Sequence, residues 1–206
     1  MTHNEKKIDK KDACPRCFRP LSNCFCTTVS VQKNSLSVLI LQHPQERYKV
    51  LNSAALTHAM LEKSLLKVGL SWRNLAHALG KEADPKQWGV LYLKGGGESR
   101  KTMDIFDGKK RPLAALPALK GVVVIDGSWK QAKALWWRNP WLLRLNRIML
   151  NPPKASRRPQ VKKEGLSTIE AVALALECLG EDPAISLALV KNYEDLILTP
   201  HHGALL

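Results

Sequence analysis

The sequence predicts an α/β fold in which a mostly parallel β-sheet is covered by helices, with a small four-cysteine unit before it. Short aliphatic and β-branched runs alternate with helix-like stretches, and polar or glycine-containing turns follow the runs. Four cysteines grouped near the amino end predict the added unit. At 206 residues the chain is long enough for one sizeable domain and a small appendage.

Composition and charge narrow the class of protein. A hydrophobic content of 45% predicts a folded chain, and 32 Lys and Arg residues against 18 Asp and Glu predict an anionic partner. Nucleic acid is favoured over a membrane surface, although excess lysine that only keeps the protein soluble is the alternative. The sequence holds no window of about eighteen uninterrupted apolar residues. Its amino end carries charges where a signal peptide needs an apolar core, so we expect a cytoplasmic protein without a membrane partner.

The amino-terminal part is predicted to contain a flexible basic arm, residues 1–12, and a zinc knuckle, residues 13–30. The proposed zinc ligands are Cys14, Cys17, Cys24 and Cys26. The two-residue gap in the first pair lets backbone amides turn toward both thiolates, and the second pair completes a tetrahedral site. Four thiolates leave no open coordination position, so the Zn²⁺ would be structural. Disulfides, which reducing cytosol disfavours, and redox-sensing thiols are the alternatives.

Four apolar runs predict the strands of the sheet, at residues 36–41, 90–93, 121–125 and 148–150. A helix is predicted to begin near residues 52–53, and another follows Ser128. The last predicted helix begins at Ser167 or Thr168, with Glu170 as the reciprocal member of a capping box, and ends at Gly180.

Polar loops follow the predicted strands, and in an open parallel sheet ligands bind beyond the carboxyl ends of the strands. Asp126 ends the third strand and is followed by Gly127, Ser128 and Trp129. Residues 43–44, the loop after Leu93, and residues 151–152 and 166–168 are expected to converge on the same crevice. On residue chemistry alone, an equally favoured interpretation makes Asp126 a helix cap, Gly127 a tight turn and Trp129 a core aromatic.

Four motifs in order resemble the DTW-domain family of tRNA-uridine aminocarboxypropyltransferases. They are CPRCFRPLSNCFC (14–26), ILQHPQE (40–46), VVVIDGSWKQAKALWWRNP (122–140) and LSTIEAVALAL (166–176), and the similarity extends over about residues 14–179. The Asp-x-Thr-Trp motif of the family stands here as Asp126-Gly127-Ser128-Trp129, which keeps a hydroxyl and loses a methyl group. The segment 152–165 also lacks the tyrosine often found before the family's arginine.

The resemblance implies an activity and a fold. The activity is transfer of the 3-amino-3-carboxypropyl group from S-adenosylmethionine to N3 of a tRNA uridine, with release of methylthioadenosine. Residues 31–206 would form the catalytic domain, SPOUT-like with a C-terminal trefoil knot. Pattern reading alone argues against any knot, because knots are very rare.

A mechanism assigns roles to individual residues. Asp126 is the candidate general base, since a positioned carboxylate could accept the N3 proton. The amino end of the last helix favours a carboxylate, and Glu170 would repel it unless that residue serves the cap or meets an ammonium group. Candidates for binding S-adenosylmethionine are Leu93, Gly95, Gly127, Ser128, Trp129, Leu150, Leu166, Ser167, Thr168 and Glu170.

Basic side chains near this crevice are the candidates for binding tRNA. They are His43, Lys130, Lys133, Lys154, Arg157, Arg158 and Lys162. Helical spacing places Lys130, Lys133 and Trp137 on one face, and Trp129, Ala132 and Trp136 on another that is expected to be core. His43 is alternatively a structural hydrogen-bonding residue.

Two other functions remain open from the sequence, a SPOUT-type RNA methyltransferase and a noncatalytic zinc-containing RNA-binding module. A monomer is the expected oligomeric state.

Overall fold

The computed structural model describes residues 12–49, 52–93, 102–152, 156–157 and 165–198, without the side chains of Asn23, Leu93, Ile197 and Leu198. Of the sequence predictions, residues 1–11 of the arm predicted at 1–12 lie outside the described residues, as do Gly95, Lys154, Arg158 and Lys162.

Among the described residues, six strands form one mostly parallel sheet. In chain order they are β1 (Ser37–Gln42), β2 (Ser64–Val68), β3 (Trp88–Leu93), β4 (Met103–Phe106), β5 (Gly121–Asp126) and β6 (Asn146–Leu150). Their order in space is β2-β1-β5-β3-β6-β4, so β5 lies between two strands that precede it in the chain. Each neighbouring pair is parallel except β4 with β6. The predicted α/β class with a mostly parallel sheet is therefore confirmed.

The four strands predicted from apolar runs are β1, β3, β5 and β6, which are the four central strands. The two edge strands, β2 and β4, were not predicted. Both have mostly half-buried side chains, and each contains a charged residue, Lys67 in β2 and Asp104 in β4. An edge strand has a partner on one side only, so its apolar signal is weaker.

In the described part of the chain, five α-helices accompany the sheet. They are α1 (Ser53–Met60), α2 (Leu75–Leu79), α3 (Trp129–Arg138), α4 (Thr168–Cys178) and α5 (Pro183–Tyr193). A π-helical turn, Glu194–Leu198, follows α5. The helix predicted to be the last is α4, so α5 was missed. None of the described helices is long and apolar enough to cross a membrane.

Alternating side chains of the strands build a core on each face of the sheet. Val38 and Ile40 belong to a cluster with α1, α4 and α5, while Leu39 and Leu41 belong to one with α2 and the turn at 140–145. The strand residues Val38 to Leu41 are at most 1% exposed, which explains the uninterrupted apolar run of β1.

The α4 boundaries confirm the local predictions. Ser167 is the N-cap and forms the capping box with Glu170, so the choice between Ser167 and Thr168 falls on Ser167. Gly180 has φ of +89°, a left-handed conformation that glycine adopts without strain, and lies just beyond the end of the helix.

The cysteine unit packs against the sheet domain. Cys14, Cys17 and Phe25 are buried within the core cluster that contains α5. Arg19 donates a hydrogen bond of 2.7 Å to the carbonyl of Leu196, and its guanidinium lies 5.5 Å from the Phe25 ring centre. The unit thereby contacts a segment more than a hundred residues away in the chain.

Candidate active site at the carboxyl ends of the strands

Asp126 ends β5 beside the end of β1. The parallel register pairs Asp126 with Gln42, and the backbone N–H of His43 donates to the Asp126 carbonyl at 3.0 Å. Two neighbouring buried strands therefore fix where the Asp126 side chain begins.

Three elements meet at the Asp126 carboxylate. Gln42 donates from Nε2 to Asp126 Oδ2 at 2.9 Å, and Thr168, the first residue of α4, donates its hydroxyl to Oδ1. Gln42 Nε2 also donates to Asn52 Oδ1 at 3.0 Å, and Asn52 caps α1. The network connects β5, β1 and α4 through the Asp126 carboxylate, and it reaches the start of α1 through the Gln42 amide.

The surroundings raise the pKa of Asp126 above its ordinary value. Burial is the main cause, and the negative charge of Glu46 acts in the same direction. The hydrogen bonds from Thr168 and Gln42, together with the positive charge of Lys49, oppose the shift in pKa without cancelling it. The residue keeps partial exposure, but its carboxyl group is densely surrounded. The carboxylate is consequently a stronger base than that of an exposed aspartate.

The turn after Asp126 is closed by Gly127 and Ser128. A Cβ atom on Gly127 would lie 2.9 Å from the Cβ of Gln131, so only glycine fits without displacement. Ser128 caps α3 and forms a capping box with Gln131. The alternative interpretation that made Asp126 the cap is therefore wrong, because Ser128 takes that position.

Glu170 holds the start of α4 to the preceding loop. Its carboxylate accepts hydrogen bonds from the Ser156 hydroxyl, from the Ser167 hydroxyl and N–H, and from the Arg157 N–H, at 2.6 to 2.8 Å. Burial raises the pKa of Glu170, but these hydrogen bonds outweigh it and the net pKa is lowered. The bonds engage both carboxylate oxygens within the protein.

The other predicted donor-binding residues lie along the same edge of the sheet. Leu93 and Leu150 are paired at the ends of β3, which neighbours β5, and of β6, which lies beyond β3, and Leu150 is fully buried. Leu166 is half-buried directly before the α4 cap. The parallel strands place Leu93 and Leu150 at the same end of the sheet as Asp126.

The predicted core face of α3 is wrong at its first residue. Trp129 is 64% exposed, and Trp137 is 73% exposed. Trp136 is half-buried and meets Tyr92 edge to face, with ring centres 5.0 Å apart. The first turn of α3 begins three residues after β5 ends, where the sheet offers no surface for the Trp129 ring.

The predicted RNA-binding residues fall into different settings. Lys130 and Lys133 are exposed on α3. His43 is half-buried and its Nδ1 accepts a 3.3 Å hydrogen bond from the Gln45 N–H, in agreement with the structural alternative. The guanidinium of Arg157 pairs with Glu194 after α5.

Gln42 and Asn52 are functional candidates that sequence reasoning missed. Gln42 is fully buried, and its Oε1 has no hydrogen-bond partner among the described residues. The sequence does show a glutamine at the end of the otherwise apolar β1, just as Asp126 ends β5. Using this signal requires knowing that β1 pairs with β5.

The four predicted zinc ligands come together. Their sulfur atoms all lie within 4.8 Å of one another, with Cys14 to Cys26 at 3.9 Å and Cys17 to Cys24 at 3.7 Å. Zn–S bonds of about 2.3 Å in a tetrahedron place sulfurs about 3.8 Å apart, whereas a disulfide needs about 2.05 Å. The donor set therefore fits zinc, and the disulfide alternative does not fit.

The thiol groups of this cluster differ in pKa. Hydrogen bonds from backbone N–H groups, first that of Cys17, lower the pKa of Cys14 to about 6 despite burial. Burial raises the pKa of Cys17 and Cys26. Buried thiolates of this kind need a positive charge at their centre to be stable together.

A cavity of about 860 Å³ lies at the opposite edge of the sheet, lined by Ser37, Trp88 and Lys120 among others. These residues stand at or just before the amino ends of β1, β3 and β5. Because sites in open parallel sheets form at the carboxyl ends, the Asp126 edge is the better candidate.

The DTW domain model matches residues 11–199, which is most of the chain. This chain belongs to the DTW-domain family. Relatives named tRNA-uridine aminocarboxypropyltransferase 2 share 28% identity over 95% of this DTW protein in Macaca fascicularis and in Mus musculus. The chain spans 66% of the length of those two relatives. The relative of that name in Drosophila melanogaster is 30% identical over 91% of this chain and 74% of its own length. No solved structure matches the chain.

Proposed function

We propose that this DTW-domain protein is a tRNA-uridine aminocarboxypropyltransferase that uses S-adenosylmethionine as donor. The product would be a tRNA uridine carrying the 3-amino-3-carboxypropyl group on N3, and the coproduct methylthioadenosine. The names of the relatives support this activity. The observation that carries it is the Asp126 carboxylate, of raised pKa, held at the strand ends by Gln42 and Thr168.

In the proposed reaction Asp126 acts as general base. Uridine N3 is a poor nucleophile until its proton leaves, and the carboxylate accepts that proton as N3 forms a bond to the methylene carbon next to the sulfonium. The carbon–sulfur bond breaks, and its electron pair stays on the sulfur of methylthioadenosine. A carboxylate of raised pKa takes up this proton more readily than an exposed aspartate.

The edge of the sheet around Asp126 would bind the donor. The backbone of the α4 first turn, which begins at Thr168, is suited to the donor carboxylate, because a helix amino end favours negative charge. The Thr168 hydroxyl itself donates to Asp126. Glu170 would act by fixing that turn through its hydrogen bonds. The remaining proposed donor contacts are Leu93, Gly95, Gly127, Ser128, Trp129, Leu150, Leu166 and Ser167.

The proposal also covers the metal site, the fold, the location and the oligomeric state of the protein. Residues 13–30 would hold one structural Zn²⁺, residues 31–206 would form the catalytic domain with a SPOUT-like trefoil knot, and the protein would act as a cytoplasmic monomer. Formal charge of +14 supports a polyanionic substrate. The proposed RNA contacts are His43, Lys130, Lys133, Lys154, Arg157, Arg158 and Lys162.

Mass spectrometry of tRNA incubated with the protein and S-adenosylmethionine tests the activity. We expect an aminocarboxypropyl adduct on a uridine and methylthioadenosine in equal amounts. A methyl adduct with S-adenosylhomocysteine would instead establish an RNA methyltransferase. Tight tRNA binding without either coproduct would establish a noncatalytic binding module.

Replacement of Asp126 by asparagine tests the base. We expect Asp126→Asn to abolish transfer while the fold is kept, since the amide can accept from Gln42 and donate to Thr168. Burial raises the pKa of Asp126, so its ionised form costs stability, and the variant should be at least as stable as the wild type at neutral pH. That advantage should vanish as the pH falls through the raised pKa and the wild-type carboxyl becomes neutral.

Urea unfolding over a range of pH and transfer assays are the measurements for this variant. Asp84→Asn is a matched control, because Asp84 is exposed beside the cavity at the opposite edge of the sheet. Transfer by Asp126→Asn at the wild-type rate would exclude Asp126 as base.

A further inference from the structure

The outer surface of α3 combines exposed aromatic rings with positive charge. Trp129, Lys133 and Trp137 recur at intervals of four residues, which places them along one slowly turning stripe of the helix. Both tryptophans are more than 60% exposed, and they are the two aromatic residues among the exposed large hydrophobic side chains of the described chain. Exposed tryptophan is costly in water, so such a pair indicates a surface that binds something.

The charge around these rings is of one sign. Lys130, Lys133 and Arg138 are exposed on α3, and the helix contains no acidic residue. A second copy of the chain packed symmetrically on this stripe would oppose lysine to lysine, which disfavours a dimer here. A polyanion with flat apolar groups matches the stripe, and single-stranded nucleic acid has both properties.

The position of α3 connects this surface with the Asp126 site. The helix begins three residues after Asp126, and Gln131 in its first turn donates to Gln45 Oε1 at 3.0 Å. Gln45 belongs to the turn that follows β1. The amino end of the stripe is thus fixed to the edge of the sheet that carries the carboxylate, and its far end lies about 12 Å along the helix.

We propose that the stripe Trp129, Lys133 and Trp137 binds unpaired nucleotides of the RNA substrate that flank the reacting uridine. The Trp137 ring stacks on a base, and Lys130 and Lys133 contact phosphates. Trp129, which is also a proposed donor contact, presents one face of its ring to the donor and the other to a base. The proposal rests on the proposed function for the identity of the RNA, and it adds the direction in which the strand leaves the site.

The test measures binding of a fluorescent oligouridylate and of a blunt RNA duplex of equal charge. We expect Trp137→Ala to weaken oligouridylate binding at least fivefold, from the loss of about 1 kcal/mol or more of stacking, and to leave duplex binding unchanged. Trp137→Phe keeps an aromatic ring and should retain most of the affinity. Leu187→Ala is the matched control, because Leu187 is 70% exposed on α5 and should bind as the wild type.

Salt dependence separates the two kinds of contact. Lys133→Ala should lower the slope of log K against log salt by about 0.7, whereas Trp137→Ala should leave that slope unchanged. The proposal is overturned if Trp137→Ala binds oligouridylate like the wild type, or loses affinity equally for the duplex. It is also overturned if the wild type dimerises and Trp137→Ala abolishes the dimer.

The binding test and the transfer assay test the two proposals separately. A wild type that binds oligouridylate through Trp137 but transfers nothing would contradict the proposed function and leave this surface in place. Transfer by the wild type with no effect of Trp137→Ala on RNA binding would remove the surface and leave the proposed function intact.

Discussion

The Gln42 side chain fixes the carboxylate on which the proposed chemistry depends. Its amide nitrogen serves both Asp126 and Asn52, so the orientation of Asp126 and the cap of α1 share one donor group. Nothing else in β1 is polar between Ser37 and Gln42. A buried polar group in this position is retained at a cost in desolvation, which indicates a role in positioning.

Replacing Gln42 by glutamate removes the donor and adds a negative charge next to Asp126. We expect the pKa of Asp126 to rise further, because two neighbouring carboxylates disfavour each other's ionisation. The variant should also be less stable by about 1–3 kcal/mol, since a buried hydrogen bond is lost. NMR titration of the Asp126 carboxyl carbon and urea unfolding are the measurements.

Gln45→Glu provides the control for this substitution. Gln45 is exposed, and a glutamate there keeps the oxygen that accepts from Gln131. In the transfer assay the acidic limb of the pH profile should move to higher pH for Gln42→Glu and stay in place for Gln45→Glu. An unchanged Asp126 titration in Gln42→Glu would contradict the positioning role.

At this scale the sequence singled out Asp126 and Thr168 as candidates, but it did not predict the contact between them. Each residue stands at an element end that local pattern reading can locate. The pairing of Asp126 with Gln42, by contrast, depends on β5 entering between β1 and β3, and no local pattern encodes strand order. The exposure of Trp129 was missed because helical spacing gives a face and not the extent of the sheet below it.

Among the elements, α4 shows how a helix start becomes part of a site. Its capping box and the bonds from Ser156 and the Arg157 N–H converge on Glu170, so the loop before α4 and the helix are held as one unit. Thr168, the first residue of this unit, contacts Asp126. Stability of the α4 start therefore bears directly on the carboxylate geometry.

Replacing Glu170 by glutamine should loosen this unit. A glutamine has one acceptor oxygen for the donors that Glu170 now serves, and we expect a loss of about 1–3 kcal/mol in the free energy of unfolding. The pKa of Glu170 is lowered, so its stabilising contribution is present above the ordinary value of 4.5 and is lost as the pH falls through the folded value. The deficit of the variant should shrink over that range.

Glu177→Gln is the control on the same helix. Glu177 is exposed and accepts one hydrogen bond, from the Ser186 hydroxyl at 2.8 Å, which glutamine can also accept. Urea unfolding of both variants between neutral and acid pH measures the difference. Equal stability of the two variants would show that the Glu170 bonds contribute little.

Features encoded by a few neighbouring residues were predicted from the sequence, and several other elements were missed. The cap at Ser167 and the stop at Gly180 were predicted because both are encoded within a few residues. The edge strands β2 and β4 and the helices α2 and α5 were missed. In α5, Ile185 and Leu189 supply the buried face, but the intervening Leu187 is exposed, which weakens the periodic signal.

For the whole molecule, the four-cysteine unit joins distant parts of the chain. Arg19 reaches the carbonyl of Leu196 after α5, and Phe18 packs against Arg47, whose guanidinium lies 4.1 Å from the ring centre. Arg47 follows the turn that begins at His43. An ion in the unit would thus support both the core cluster and the loop after β1.

Removal of the metal should therefore destabilise more than the knuckle. We expect about one Zn²⁺ per chain by elemental analysis, and Cys17→Ser or a strong chelator should remove it and lower the thermal midpoint. Cys178→Ser is the control, because Cys178 lies at the end of α4 outside the cluster, and it should keep the zinc. Wild-type protein without bound zinc after purification in zinc-containing buffer would contradict the assignment.

At this largest scale the predicted class and the cysteine cluster are confirmed, whereas the trefoil knot stays a prediction. Residues 153–155 and 158–164, which connect β6 to α4, lie outside the described residues. A knot cannot be predicted from hydrophobic periodicity, because that periodicity shows which residues are buried and not how the chain passes through its own loops.

The strand β5 lies between β1 and β3 but is synthesised after both, and this order affects folding on the ribosome. Gln42 and Asp126 are 84 residues apart, and β3 is also made before the strand that must separate it from β1. Until residue 126 has emerged, the nascent chain carries the β1–β2 pair with a bare inner edge and β3 without either of its partners, since β6 is made later than β5. Such unpaired edges invite wrong pairing and aggregation. We therefore expect chaperone binding to the growing polypeptide to fall sharply once β5 has left the exit tunnel.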